Sequence, residues 1–279
     1  MPKADLSVIG KKNDPVEVAY SWKDVVLYAL SVGATEKEMS LVYENAPGGL
    51  KVLPSYCVIL SGSAFPHVGD VDWPLFLHGE MRFRLHKPLP VGGKVVQVGE
   101  VKNIYDKGKA AVYDIGITGH TGDGELLYEA GYANFYLGAG GFDGDPGPKA
   151  KRLDPPEGAA PDFSVTDAVP AVQAALYRLN GDLNPLHIDP ASAQRAGFDR
   201  PILHGLCTYG HAVRGVINGG LGGDLDRLKG FDARFSSPVF PGDTLVTEGW
   251  KAKGGYIVRV STHNGPVITN AFAAVDYTP

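Results

Sequence analysis

The 279-residue chain is poor in the features that mark specialised protein classes. It holds two cysteines, Cys57 and Cys207, too few for a disulfide framework, and a reducing compartment follows. No stretch of 18 apolar residues occurs, which excludes a membrane-spanning helix. Basic residues are not in excess: 26 Lys and Arg face 31 Asp and Glu, for a net charge of −5. The chain therefore lacks the basic face of a general nucleic-acid binder. The opening MPKADLSVIGKKNDPVEV has no apolar signal core, and the closing Asp-Tyr-Thr-Pro is not a peroxisomal address; a cytoplasmic location is expected. Several catalytic motifs are missing too. There is no Walker loop, no G-x-G-x-x-G after a strand and no G-x-S-x-G elbow. His187 and Asp189 are neighbours, but no His-x-x-x-His or paired-Cys spacing accompanies them. Neither a metal nor a cofactor is expected.

Apolar residues make up 44% and charged residues 20%, which is ordinary globular composition. Glycine and proline are concentrated in GAGGFDGDPGPKAKRLDPPEGAAPD, residues 138–162, which reads as a linker. It separates an N-terminal unit, 1–137, from a C-terminal unit, 163–279. The units are related. Arg84, Pro88 and Gly92 recur as Arg234, Pro238 and Gly242, an offset of 150 that also carries Cys57 onto Cys207. Leu27-Tyr28 recurs as Leu176-Tyr177 with a slip of one residue. Ordered matches at nearly one offset indicate a duplicated fold.

Each unit has helices first and strands after. In the first, Ser21 and Asp24 suit a capping box for a helix from Trp22 toward Gly33. A shorter helix fits Pro54–Ser61. Strands fit Glu80–Leu85, Lys94–Lys102, Ala110–Thr118 and Leu126–Leu137. In the second, helices fit Ala171–Leu179, Pro190–Ala196 and Leu206–Ile217, the last stopped by Asn218-Gly219-Gly220. Strands fit Phe231–Phe235, Thr244–Lys253, Tyr256–Thr262 and Val267–Val275. The class is α+β: an antiparallel sheet wrapped on a helix, twice.

Chemistry concentrates in YRLNGDLNPLH, residues 177–187. Gly181 ends a helix and Pro185 prevents its resuming, so Asp182, Asn184 and His187 share one stiff turn. A carboxylate beside an imidazole activates water near neutral pH, with Asn184 orienting either group. The same residues also suit a plain turn, since Asp and Asn bond their own backbone. The first unit places Gly33, Thr35 and Lys37 or Glu38 at the matching positions. The scaffold repeats and the polar trio does not, which favours chemistry. Downstream, Gly205 opens a helix and offers a free N–H at the positive end of its dipole, an oxyanion donor or a simple turn glycine. His204 reads as a packed side chain. Cys207 reads as core.

YRLNGDLNPLH, then Asp189-Pro190, Ala193 and AGFDRPILHGLCTYG, resemble the signature of the (R)-specific 2-enoyl-CoA hydratases, the hydratase 2 enzymes of the MaoC-like family. LPSY, LHGE and YDKGK extend the resemblance through the first unit. It implies a double hot-dog fold and a homodimer. It implies reversible hydration of trans-2-enoyl-CoA to (3R)-3-hydroxyacyl-CoA, with Asp182 and His187 holding the water, Asn184 in support and Gly205 as the oxyanion donor. It also implies contacts to acyl-CoA from His78, Gly79, Lys107 and Phe235, with Lys107 on a CoA phosphate. Asn180 departs from the small residue usual before Gly-Asp. Two other readings stand beside this one: dehydration of 3R-hydroxyacyl chains on a carrier protein, and a non-catalytic acyl-CoA-binding subunit. The first unit, lacking the trio, is expected to accommodate the acyl chain.

Overall fold

Alternating apolar and polar residues set the strands, and glycine-rich turns join them. The computed structural model describes residues 2–149 and 152–275. The first half runs β1 (Val16–Tyr20), α1 (Trp22–Ser31), α2 (Met39–Val42), α3 (Tyr56–Gly62), β2 (Phe76–Leu85), β3 (Gly93–Asp106), β4 (Ala110–His120) and β5 (Leu126–Leu137). The second runs β6 (Phe163–Ala168), α4 (Gln173–Tyr177), α5 (Pro190–Arg195), α6 (Gly205–Gly220), β7 (Leu228–Phe235), β8 (Thr244–Ala252), β9 (Gly255–Thr262) and β10 (Gly265–Val275).

All ten strands form one antiparallel sheet in the order β1-β3-β4-β5-β2-β7-β10-β9-β8-β6. Matching β1–β5 with β6–β10 makes this order the same from either end. At the centre, β2 pairs with β7 and Arg82 faces Asp232, two residues 150 positions apart in sequence. The duplication is thus a pseudo-twofold through that pair. Inward residues of the sheet close on α3 and α6. Tyr209 of α6 packs edge-on against Phe83 and Phe231, at 6.2 and 5.0 Å between ring centroids. This is the expected double hot-dog.

The central helices differ from their sequence reading and from each other. α6 has 16 residues and continues through Gly219 and Gly220 instead of stopping at Asn218. A Cβ on either glycine would fall 2.6 or 2.8 Å from the Phe163 ring, so these glycines admit β6 close to the helix and do not end it. Its partner α3 has seven residues. The short edge strands β1 and β6, and α2, were not legible in the pattern.

Between β5 and β6, Pro148, Lys149 and Leu153 lie beside residues of the sheet. The Asp106 carboxylate accepts the N–H groups of Gly108, Gly141 and Phe142 at 2.7–2.8 Å. Further on, Leu153 N–H donates to Asn270 Oδ1 at 2.7 Å. The halves are also stitched at the end of α1, where a helix leaves carbonyls without intrahelical partners. Gln173 donates to the Leu30 and Ser31 carbonyls. Cys207 Sγ reaches the Ser31 carbonyl at 3.2 Å, and Arg214 Nε the Val32 carbonyl at 3.1 Å. Arg214 also holds Asp167 at 2.7 Å and Glu38 at 3.5 Å.

Candidate active site

The loop after α4 is built by local hydrogen bonds. Gly181 takes the left-handed conformation, φ 114°, that ends the preceding 3-10 turn. Asp182 Oδ1 accepts the Asn184 N–H at 3.2 Å, and Asn184 Oδ1 accepts the Leu186 N–H at 3.0 Å. Asn184 therefore caps the turn Pro185–His187. Asp189 caps α5 through the N–H groups of Ala191 and Ser192. Asn180 donates to Ser31 Oγ at 2.9 Å, so the residue that departs from the family pattern ties this loop to α1 of the other half.

His187 is buried, with Nδ1 2.9 Å from the Ile202 carbonyl. A carbonyl only accepts, so Nδ1 carries the proton and Nε2 presents a lone pair. Burial holds the ring below the usual histidine pKa, hence neutral at pH 7. His204 lies against it, ring centroids 3.8 Å apart and tilted by 30°. His204 Nε2 is 3.2 Å from the Asp182 carbonyl and by the same logic donates to it. Burial, and then the neighbouring His187, push its pKa down to about 4.

Donor atoms of Asp182, His187 and His204 all lie within 4.8 Å of one another. Two of the four ring nitrogens are spent on carbonyls. His187 Nε2 and His204 Nδ1 are the ring nitrogens left over, on rings tilted by 30° to each other.

Gly205 is the first residue of α6, so its N–H has no intrahelical acceptor and sits at the positive end of a 16-residue helix. The nearest atoms a Cβ there would meet are those of the Phe235 ring, the closest at 3.5 Å. The His78 ring meets Phe235 edge-on at 5.1 Å. His78 Nε2 is 3.1 Å from the Glu80 carbonyl, and burial brings its pKa to about 4 while the Asp182 charge opposes that shift. One end of the β2–β7 pair thus gathers Asp182, His187, Gly205, His78 and Phe235.

Gly79 and Lys107 are placed differently. β2 bulges between His78 and Glu80, and a Cβ on Gly79 would strike Phe135. Phe135 and Lys107 line a cavity of about 980 Å³. The lining residues Glu80, Arg82, Asp232 and Arg234 alternate with Phe83 and Phe231, which are buried against Tyr209 of α6, so the cavity is on the outer face. Lys107 donates to the Pro146 carbonyl there. Two residues of the inner cluster were not singled out from sequence, His204 and Tyr177. The Tyr177 ring is 4.8 Å from that of His204, and its hydroxyl is buried without a partner. The only sequence signal for His204 is its place directly before a helix-opening glycine.

The MFE-2 hydratase 2 N-terminal domain matches residues 18–138, and the MaoC like domain matches residues 152–269. A probable enoyl-CoA hydratase 2 of Dictyostelium discoideum is 40% identical over 266 residues, covering 92% of this chain and 90% of its own. The chain belongs to the MaoC-like hydratase 2 family. Members of this family are hydro-lyases. The 3-hydroxyacyl-thioester dehydratase Y of Mycobacterium tuberculosis is 39% identical over 261 residues, covering 91% of this chain and 90% of its own. The crystal structure of a MaoC-like dehydratase from Phytophthora capsici superposes with a TM-score of 0.89 at 28% identity, covering 98% of each chain. No helix among the described residues is long and apolar enough to cross a membrane.

Proposed function

We propose that this site adds water reversibly across the double bond of a trans-2-enoyl-CoA, giving the (3R)-3-hydroxyacyl-CoA. The observation that carries this reading is the fixed tautomer of His187. Its Nδ1–H is committed to the Ile202 carbonyl and its Nε2, with no hydrogen-bond partner and not enclosed, is free to take a proton beside Asp182. An enoyl thioester is electrophilic at C3. Water held between Asp182 and His187 gives a proton to Nε2 as its oxygen bonds to C3. Asp182 accepts the water's other hydrogen bond and stabilises the imidazolium. Electron density moves from the double bond to the thioester oxygen, opposite the Gly205 N–H; one such donor is worth about 3–4 kcal/mol. The imidazolium then returns its proton to C2. One hydrogen of the water ends on the new hydroxyl and the other on C2. Dehydration retraces the path.

His78 and Phe235 wall the reacting end. The CoA phosphates are assigned to the outer cavity, where Lys107, Lys149 and Lys253 have no carboxylate partner among the described residues. The bulge at Gly79 joins the two faces of β2. The acyl chain is assigned to the first half, whose seven-residue central helix fills less of the sheet than the 16-residue α6. Faster turnover of ten-carbon than four-carbon substrate supports that placement, and a strict four-carbon preference removes it. A homodimer in the cytoplasm completes the reading, checked by sedimentation and by fractionation.

The test is to incubate the protein with trans-2-decenoyl-CoA, follow loss of the conjugated thioester absorbance and determine product chirality. Formation of the 3R alcohol, abolished in Asp182→Asn, is expected. Inertness toward short, long and branched enoyl-CoAs overturns the reading in favour of carrier-linked dehydration or a binding role.

A further inference from the structure

His204 makes no contact that the proposed reaction consumes, yet three features of the site converge on it. Its Nε2–H holds the main chain of Asp182, so it fixes the loop that carries the carboxylate. Its ring is stacked on His187 at 3.8 Å, so it sets the plane in which the basic nitrogen points. It directly precedes Gly205, the residue that opens α6. The side chain is fully buried. Its remaining nitrogen, Nδ1, is buried without a partner, and so is the Tyr177 hydroxyl on the adjoining ring. Neither makes a hydrogen bond, so the Asp182 carbonyl alone sets the tautomer of His204. The first half has no equivalent: at the 150-residue offset, Pro54 stands for His204 and Ser55 for Gly205. There the Tyr28 hydroxyl donates to Ser55 Oγ at 2.9 Å.

We propose that His204 is the positioning residue of the catalytic pair, holding Asp182 by its main chain and His187 by its ring. This rests on the hydratase reading of the same site. A buried, uncharged partner suits the task, because it orients His187 without competing for the water's proton.

Two substitutions separate the contacts. His204→Phe keeps a ring against His187 and removes the N–H; His204→Gln keeps a donor within reach of the Asp182 carbonyl and removes the ring. The measurements are kcat, KM and the acid limb of the pH profile on trans-2-decenoyl-CoA, with thermal melting alongside. Displacement of a catalytic group by about 1 Å costs about 10²-fold, so His204→Phe is expected to lower kcat by that order with KM within about twofold. His204→Gln is expected to recover about tenfold of this loss. It is also expected to move the acid limb to higher pH, because water then reaches His187 and relieves the burial that holds its pKa down. In His204→Phe the limb stays. The proposal is overturned if both folded variants keep kcat within about threefold of the parent. It is also overturned if both lose activity equally with an unmoved acid limb, or only in proportion to unfolding. An inert parent protein overturns the hydratase reading itself, and the proposal with it.

Discussion

The two halves use one fold to make different turns after their first helix. In the second, Asn184 accepts the Leu186 N–H at 3.0 Å; 149 residues earlier, Thr35 accepts the Lys37 N–H at 3.3 Å. Turn-making is therefore duplicated, and Asn184 belongs to it. Asp182 and His187 are not duplicated. Their counterparts are Gly33 and Glu38. A Cβ on Gly33 would lie 2.4 Å from the His211 ring, and Glu38 binds Arg214 and Asn218 of α6. Where the proposed reaction draws on Asp182 and His187, the matching positions of the first half grip the central helix of the second.

The sharpest break in this comparison is a pair of parallel substitutions. Asp182→Asn and His187→Ala are expected to lower kcat by about 10²–10⁴-fold with little change in melting. Glu38→Gln, at the position matching His187, is expected to lower melting and leave kcat of the folded protein within severalfold. Near-normal turnover in the first pair removes the assignment. The grip itself is tested at Arg214, whose side chain is 6% exposed and meets Asp167 at 14% and Glu38 at 15%. Arg214→Met leaves two largely buried carboxylates unpaired and is expected to cost about 3–5 kcal/mol in denaturant unfolding. A cost below about 1 kcal/mol would show that this ion cluster adds little to the other contacts that hold the halves together.

The next substitution converts one half into the other. Ser55 occupies the position of Gly205 and accepts from Tyr28. Gly205→Ser is expected to give Tyr177 the same partner, adding up to about 1 kcal/mol of stability. The added side chain enters the space beside the N–H, and a displaced thioester is expected to lose about 10²-fold in turnover. Retained activity would mean that the carbonyl does not approach Gly205.

Acid separates the buried histidines from the surface ones. Burial depresses the pKa of His78, His187, His204 and His211. The unfolded chain then binds more protons than the folded one between the usual value near 6.5 and the folded values. Stability from these neutral rings is full above about pH 6.5 and falls as pH drops toward about 4, where His78 and His204 titrate in the folded protein. Melting temperature is expected to decline steadily between pH 7 and pH 4.5. Hydration, which needs neutral His187, is expected to persist below the usual histidine pKa. Flat melting across that range would contradict the burial of these rings.

How much of this was legible in sequence depended on whether a residue's role was local. Strands announced themselves at Ala110–Thr118, by alternation, and at Leu126–Leu137, by a run of apolar and aromatic residues, and the structure has strands at Ala110–His120 and Leu126–Leu137. The turn at Gly181-Asp182 was readable because Gly, Asn and Pro act on their own backbone. Gly219 and Gly220 misled, because their purpose is to admit Phe163, 56 or more residues away. β1 and β6 are five- and six-residue edge strands, too short to carry a period. His204 was read as packing because its stacking on His187 and its hold on Asp182 exist only after folding. Lys107 was assigned by resemblance alone, and its place on the outer face was not readable from any local pattern.

The smallest expected effect concerns the one residue that departs from the family pattern. Asn180 is in the second half and Ser31 in the first, and the bond between them is 2.9 Å long. Asn180 also donates to the Tyr177 carbonyl at 2.8 Å, so its amide clamps the end of α4 while reaching across. Gly181 and Asp182 follow at once. If the first half serves to hold the second, this bond should steady the catalytic loop. Asn180→Ala and Ser31→Ala are each expected to cost about 1 kcal/mol. Because both remove the shared bond while each also removes one of its own, to the Tyr177 and Tyr28 carbonyls, the double variant should lose less than the sum of the two singles. Strict additivity in denaturant unfolding would mean that the two side chains act independently, and the first half would then touch the loop without supporting it.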